Sequence, residues 1–272
     1  MSEKQIELSG LNFHVLDEGS GQPVLLLHGF PDSADLWRNQ IPALVDAGFR
    51  AIAPDLRGFG RSSKPKEISS YSFQVLLSDI IGILDALQIE RVHVVGHDWG
   101  AALAWFLAAF RPDRVMNLAV MSVGHLNSFR SAGLEQREKS WYTLLFQFEE
   151  IAEQLLMKND WQFFRDLVRH HSELERWIPA MEKPDALSAA LSIYRANAHP
   201  QKLLEESSVP AVKSPTLGIW SSGDFYLTEA QMLGSNAFVD AAWKYVRVEG
   251  ASHWMQLDRP EVINQILLKF LR

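Results

Sequence analysis

The segment Val94-Val95-Gly96-His97-Asp98-Trp99-Gly100 joins an apolar strand-like run, Val92 to Val95, to an apolar helical run, Ala101 to Ala109. A carboxylate therefore stands at the centre of a G-x-D-x-G turn between a strand and a helix, a spacing that lifts one side chain above a strand end. Glycine on either side has a steric reason, because the central residue of so sharp a turn is strained and side chains at 96 and 100 would strike its neighbours. Asp98 is expected to project alone, facing the N–H groups and positive dipole end that open the following helix. A carboxylate so placed attacks carbon by displacement and leaves an ester, chemistry suited to opening a strained ring or expelling a halide. An aspartate that only caps a helix after a strand has the same local pattern, so the reading depends on partners elsewhere in the chain.

A carboxylate ester is stable unless a base activates water against it, so a working site needs a histidine and a group to orient it. Asp224 follows the apolar run Thr216 to Trp220, and His253 follows the run Tyr245 to Val248 in Gly250-Ala251-Ser252-His253-Trp254. Nucleophile, acid and histidine thus occur in that order, each just beyond a candidate strand. Water attack on the ester would create a negative oxygen on the Asp98 carboxyl carbon. The backbone N–H groups of Trp99 and of Phe30, in the loop His28-Gly29-Phe30-Pro31, are the expected donors to it.

These positions require a sheet to hold them. Ile6 to Leu8 and Leu11 to Leu16 alternate around Ser9-Gly10 and read as an edge hairpin. Val24 to Leu27, Ala51 to Ala53, Val92 to Val95, Val115 to Val120, Thr216 to Trp220 and Tyr245 to Val248 read as buried strands. Helical spacing lies between them: Pro31 to Val45, Tyr71 to Leu87, Ala101 to Ala109, and Pro260 to Leu271 at the end. Alternation of strands and helices predicts an α/β fold with a mostly parallel, doubly wound sheet. From about 124 to 209 strand runs vanish, and helices are expected at Trp141 to Met157, Trp161 to His171 and Pro184 to Ala198. The chain divides accordingly into a core of residues 1–123 and 210–272 and an all-helical insertion of 124–209. Its aromatic residues, among them Trp141, Tyr142, Phe146, Phe148, Trp161, Phe164, Trp177 and Tyr194, are expected to form an apolar roof over the strand ends.

The chain has 272 residues, 47% hydrophobic, enough for one α/β domain with an insertion. A net charge of −7 without charged blocks predicts neither a nucleic-acid surface nor a polybasic membrane patch. The absence of cysteine removes disulfides, thiol nucleophiles and thiolate metal sites. The apolar runs fall short of the ~20 residues needed to span a bilayer, and the polar N-terminus has no signal-peptide core. A cytoplasmic protein, monomer or homodimer, is expected, acting on a small apolar molecule and water with no cofactor and no metal. His170 and His171 are neighbours on a helix and point to different faces, and no acid completes a ligand set. His97 is expected to pack beneath the elbow, and Arg130 and Arg195 to be solvated surface charges.

Taken together, His28-Gly29-Phe30-Pro31, Gly96-His97-Asp98-Trp99-Gly100, Asp224 and the run Gly250 to Leu257 with His253-Trp254 resemble the soluble epoxide hydrolases of the α/β-hydrolase fold. The resemblance spans nearly the whole chain and makes the insertion the family's cap. It implies that Tyr142 and Tyr194 are the paired cap tyrosines that hold the epoxide oxygen. A phenol of pKa ~10 suits that task, since it donates to a forming alkoxide and stays neutral beforehand. His28, Pro31, Phe146 and Trp254 are the expected pocket neighbours. The sequence departs from the family's Phe-Gln-Glu-Pro-Gly in reading Phe146-Gln147-Phe148-Glu149-Glu150. A haloalkane dehalogenase shares the aspartate nucleophile and a Trp in the place of Trp99, but many have Asn where Phe30 stands and none needs paired phenols. A fluoroacetate dehalogenase has Arg where Trp99 stands. A binding protein that had lost catalysis would lack a triad member or an elbow glycine, and none is missing here.

Overall fold

The runs without alternation, Val24 to Leu27 and Val92 to Val95, lie in the middle of one eight-stranded sheet, where both faces are covered. The structure, a computed structural model, describes residues 2–200 and 208–272. Its strands are β1 (Glu3–Leu8), β2 (Leu11–Glu18), β3 (Gln22–Leu27), β4 (Phe49–Pro54), β5 (Val92–His97), β6 (Val115–Met121), β7 (Thr216–Ser221) and β8 (Trp243–Val248). Their order across the sheet is β1-β2-β4-β3-β5-β6-β7-β8, with β1 and β2 antiparallel and the rest parallel from β4 onward.

The core helices are α1 (Gln40–Asp46), α2 (Phe73–Ala86) and α3 (Trp99–Phe110), joined near the C-terminus by α10 (Glu229–Leu233), α11 (Met255–Asp258) and α12 (Pro260–Leu271). α1 packs against α12 and α2 against α3, and α3 is buried almost all round from Gly100 to Ala108. The helix expected from Pro31 to Val45 is divided into a 3-10 turn, Ala34–Trp37, and α1. The Asp55 carboxylate takes the Ala34 N–H at 2.8 Å, so the loop after β3 is tied to the loop after β4 before the helix begins.

Between β6 and β7 lie α4 (Leu126–Ser131), α5 (Gly133–Lys139), α6 (Tyr142–Leu145), α7 (Ile151–Leu167), α8 (Leu174–Met181) and α9 (Ala186–Asn197). Among residues 124–200 and 208–209 there is no strand; residues 201–207 lie outside those described. The helices are shorter and more numerous than the periodicity predicts. Glu150 has a φ of +63°, and Asn159, Asp160 and Trp161 interrupt α7 with φ between +52° and +61°, conformations that no hydrophobic period encodes. Phe146, Trp161, Phe164, Trp177 and Tyr194 face inward, whereas Trp141 and Phe148 are exposed, contrary to their expected place on the inner face.

Candidate active site

Asp98 caps α3 directly after β5 with φ 53° and ψ −124°, a conformation that only a sharp turn of this kind imposes. A Cβ at Gly96 would overlap the Gly100 carbonyl, and one at Gly100 would overlap that of Leu27, so the crossing of β5 and α3 leaves room for glycine alone. The loop after β3 approaches from the other side. Phe30 N–H donates to Asp98 Oδ1 at 2.8 Å, and any side chain at Gly29 would collide with the Asp98 carboxylate. Burial works against the charge on Asp98, but His253 and the Trp99 N–H outweigh it and hold the carboxyl below the usual carboxylate range.

The loops after β7 and β8 bring up the other two members. Asp224 accepts His253 Nδ1–H at 2.9 Å with Oδ2, and the N–H groups of Tyr226 and Leu227 at 2.9 and 3.0 Å with Oδ1. One oxygen of that buried carboxylate thus orients the imidazole while the other anchors the carboxylate to the backbone of its own loop. His253 Nε2 then stands 3.7 Å from Asp98 Oδ2. Burial alone would lower the histidine, but the carboxylates of Asp224 and Asp98 prevail and raise it to about 10. At neutral pH the imidazolium sits between two anions.

His97 lies under this arrangement. Its ring is 4.6 Å from that of His253, and its Nε2–H donates to the His253 carbonyl at 2.9 Å, while the Ser122 hydroxyl reaches the same oxygen at 3.3 Å. Burial, reinforced by the neighbouring His253 charge, lowers His97 to about 3, so it stays neutral and keeps this donor in place.

Asp98, His253, Tyr142 and Tyr194 line one cavity of about 20 Å³, together with Phe30, Pro31 and Trp254. Burial and the nearby Asp98 charge push both phenols well above their ordinary range, so they are neutral at physiological pH. Tyr194 meets the rings of Trp99, Phe146 and Phe30 at 4.9, 4.9 and 5.5 Å, and Tyr142 lies 6.1 Å away.

Two expected pocket residues are placed elsewhere. His28 is behind the loop, its Nδ1–H donating to the Gly29 carbonyl at 2.9 Å and its Nε2 accepting the Leu56 N–H at 3.0 Å, so both ring nitrogens are spent on backbone. Phe146 stands behind the tyrosines rather than in the cavity wall. Leu167, Val168 and Tyr226 do line the cavity and were not anticipated. Tyr226 follows Asp224 by two positions, the one sequence signal that could have found it. Arg195 is likewise not a surface charge: it is 7% exposed and forms a bidentate pair with Glu153 at 2.9 Å, its Nε–H donating to the Phe146 carbonyl. Asp32, beside the loop, is buried, and burial raises it to about 7 despite hydrogen bonds from Trp177 and Trp254 and the nearby His253 charge. Among the described residues no helix is long and apolar enough to cross a membrane, and no group of His, Asp or Glu is placed to hold a metal ion.

A strained aspartate after the fifth strand, an acid and a histidine on the loops after the seventh and eighth, and helices inserted after the sixth define a fold class, and the α/β-hydrolase fold family model matches residues 22–260. The chain belongs to that family. Within it the similarity is to epoxide hydrolases. It is 32% identical to human epoxide hydrolase 4 over 98% of this chain and 78% of that protein. It is 30% identical to epoxide hydrolase A of Mycobacterium tuberculosis over 99% and 97% of the two chains. The Bacillus megaterium epoxide hydrolase crystallised with an inhibitor superposes with a TM-score of 0.89 at 27% identity, covering 98% of this chain and 99% of that one.

Proposed function

We propose that the protein hydrolyses a small apolar epoxide to a vicinal diol, with residues 124–209 as a cap on a catalytic core of 1–123 and 210–272. The observation that carries this reading is a single small cavity onto which a buried carboxylate, an imidazole and two neutral phenols all open. In the first step an Asp98 oxygen attacks a ring carbon, the carbon–oxygen bond breaks, and the ring oxygen takes a proton from Tyr142 or Tyr194. The His253 imidazolium restores that proton, so the site now contains an ester, an alcohol and a neutral imidazole. Loss of the Asp98 charge removes one of the two anions that kept His253 protonated, which converts it into a base when one is needed.

In the second step His253, oriented by Asp224, takes a proton from water as the oxygen attacks the Asp98 carboxyl carbon. The N–H groups of Phe30 and Trp99 meet the negative oxygen that forms. Collapse expels the diol oxygen, which takes the carboxyl proton, and the carboxylate and imidazolium are restored. Similarity to proteins named epoxide hydrolases supports the substrate class. The test is a single turnover of styrene oxide in ¹⁸O-labelled water, followed by mass analysis of the diol and of the Asp98 peptide. Label is expected in Asp98 and not in the first diol released; label in that diol would mean that water attacks the epoxide directly.

A further inference from the structure

Asp32 spends its two carboxylate oxygens on two indoles from different parts of the molecule. Oδ1 accepts Trp177 Nε1–H at 2.8 Å, and Oδ2 accepts Trp254 Nε1–H at 2.9 Å. Trp177 belongs to α8 of the insertion, and Trp254 is the residue after His253, whose ring it meets edge-on at 5.0 Å. The two indoles touch each other at 4.6 Å, and the His171 ring lies against both. An uncompensated buried carboxylate is costly, and an amide would offer only one acceptor atom for two separated donors. The residue type therefore points to a requirement for both bonds at once.

α8 is held to the core by few other polar ties, and they go to the same short segment. Glu173, at its cap, pairs with Arg38 at 2.6 Å, and Arg176 pairs with Asp35 at 2.6 Å. A second cavity of about 350 Å³ is bounded by Asp32, Trp177 and Met181 and by charged side chains, Arg38, Arg61 and Arg176 among them. Pro31 borders both this cavity and the reaction cavity, whereas Asp32 and Trp177 border only this one. The reaction cavity, at about 20 Å³, is near the minimum for one water, so a substituted epoxide enters only if the side chains around it shift.

We infer that Asp32 is a positioning residue that couples closure of α8 to the placement of His253. This rests on the epoxide hydrolase reading above. Release of Trp177 from Oδ1 lets α8 move away while Oδ2 keeps hold of Trp254. Return of Trp177 brings α8 back and completes the clamp that fixes the loop carrying His253. Alkylation needs Asp98 and a phenol, neither of which Asp32 holds, so the clamp acts on the second step and on loading.

The experiment measures both half-reactions of styrene oxide by rapid quench, with intact-protein mass as the readout of the Asp98 adduct. Asp32→Asn keeps the shape but cannot accept both indoles, and it should slow ester hydrolysis about 10-fold or more while alkylation at saturating substrate changes by less than about 2-fold, so that adduct accumulates. Trp177→Phe removes only the cap bond. It should raise KM about 5-fold or more and slow hydrolysis of the formed ester by a smaller factor than Asp32→Asn does, since Oδ2 still holds Trp254, and it keeps the test available should the first variant fold poorly. Equal losses in both half-reactions of Asp32→Asn, or a Trp177→Phe enzyme with unaltered KM, would overturn the clamp while leaving the wild-type chemistry standing. A wild-type enzyme that never forms the adduct would overturn the covalent reading, and the clamp with it.

Discussion

The core and the helical insertion hold their functional side chains by different means. In the core each group is fixed through the main chain: Asp98 by its own strained φ and the Phe30 N–H, Asp224 by two backbone N–H groups, and His253 by bonds to its carbonyl from His97 and Ser122. In the insertion Tyr142 and Tyr194 are held by ring edges on ring faces, with the Arg195–Glu153 pair as the polar brace behind them. Bond-making at a carboxylate demands a geometry set to fractions of an ångström, which backbone supplies. Reception of a substrate of variable shape suits aromatic packing, whose contacts can slide.

Variants should separate the two regions. The largest effect is expected from His253→Ala: diol formation should stall after one turnover, at least about 10³-fold below the wild type, with one equivalent of substrate mass retained on Asp98 in the intact-protein spectrum. A variant that binds epoxide yet never gains that mass would show that the core does not divide the reaction as described. Next come the cap phenols. Tyr142→Phe and Tyr194→Phe should each slow ring opening by ~10 to 1,000-fold, and together nearly abolish it. Halide release from a haloalkane, if it were the true substrate, would be almost untouched by either change.

Smaller effects test the supports. Arg195→Met leaves Glu153 buried without its cation and should cost about 3 kcal/mol of stability by denaturant titration, while the adduct on Asp98 still forms in the folded fraction. Equal stability in the variant would mean that packing alone secures the insertion. The pH profile of steady-state turnover, in which the His253 imidazolium must restore the phenol proton in every cycle, is the mildest probe. Because His253 is raised to about 10, the imidazolium is fully present below that value and is lost as pH rises through it. Asp98 is lowered beneath its ordinary 3.8, so it stays ionised down to that region. A flat profile through neutrality with an alkaline fall near 10 is expected, and a fall near 6.5 would instead indicate an unpaired histidine.

How much was legible in advance follows the same division. A central parallel strand is buried on both faces and so appears as a continuous apolar run, and a glycine-flanked acid after such a run leaves few alternatives; Val92 to Gly100 reads almost directly as structure. Chain order then placed Asp224 and His253 on the neighbouring loops. The insertion offered only periodicity, which cannot register the left-handed residues at Glu150 and at Asn159 to Trp161 that break its helices. Arg195 looked like solvent-facing charge because Glu153, its partner, is 42 residues away. Asp32 gave no signal at all, since its two indoles lie 145 and 222 residues further along the chain.

The seat of His253 between two buried carboxylates has a consequence for salt. In the proposed mechanism the three groups sum to one negative charge before alkylation, and after it, with Asp98 esterified and the imidazole neutral, they sum to one negative charge again. The local monopole is therefore conserved through the cycle, and the substrate brings none of its own. Long-range ionic interactions have nothing to follow from step to step, and mobile ions, which screen beyond about 8 Å at physiological strength, have little to act upon. Both half-reactions are accordingly expected to run at the same rate in dilute buffer and in brine, provided the folded state persists.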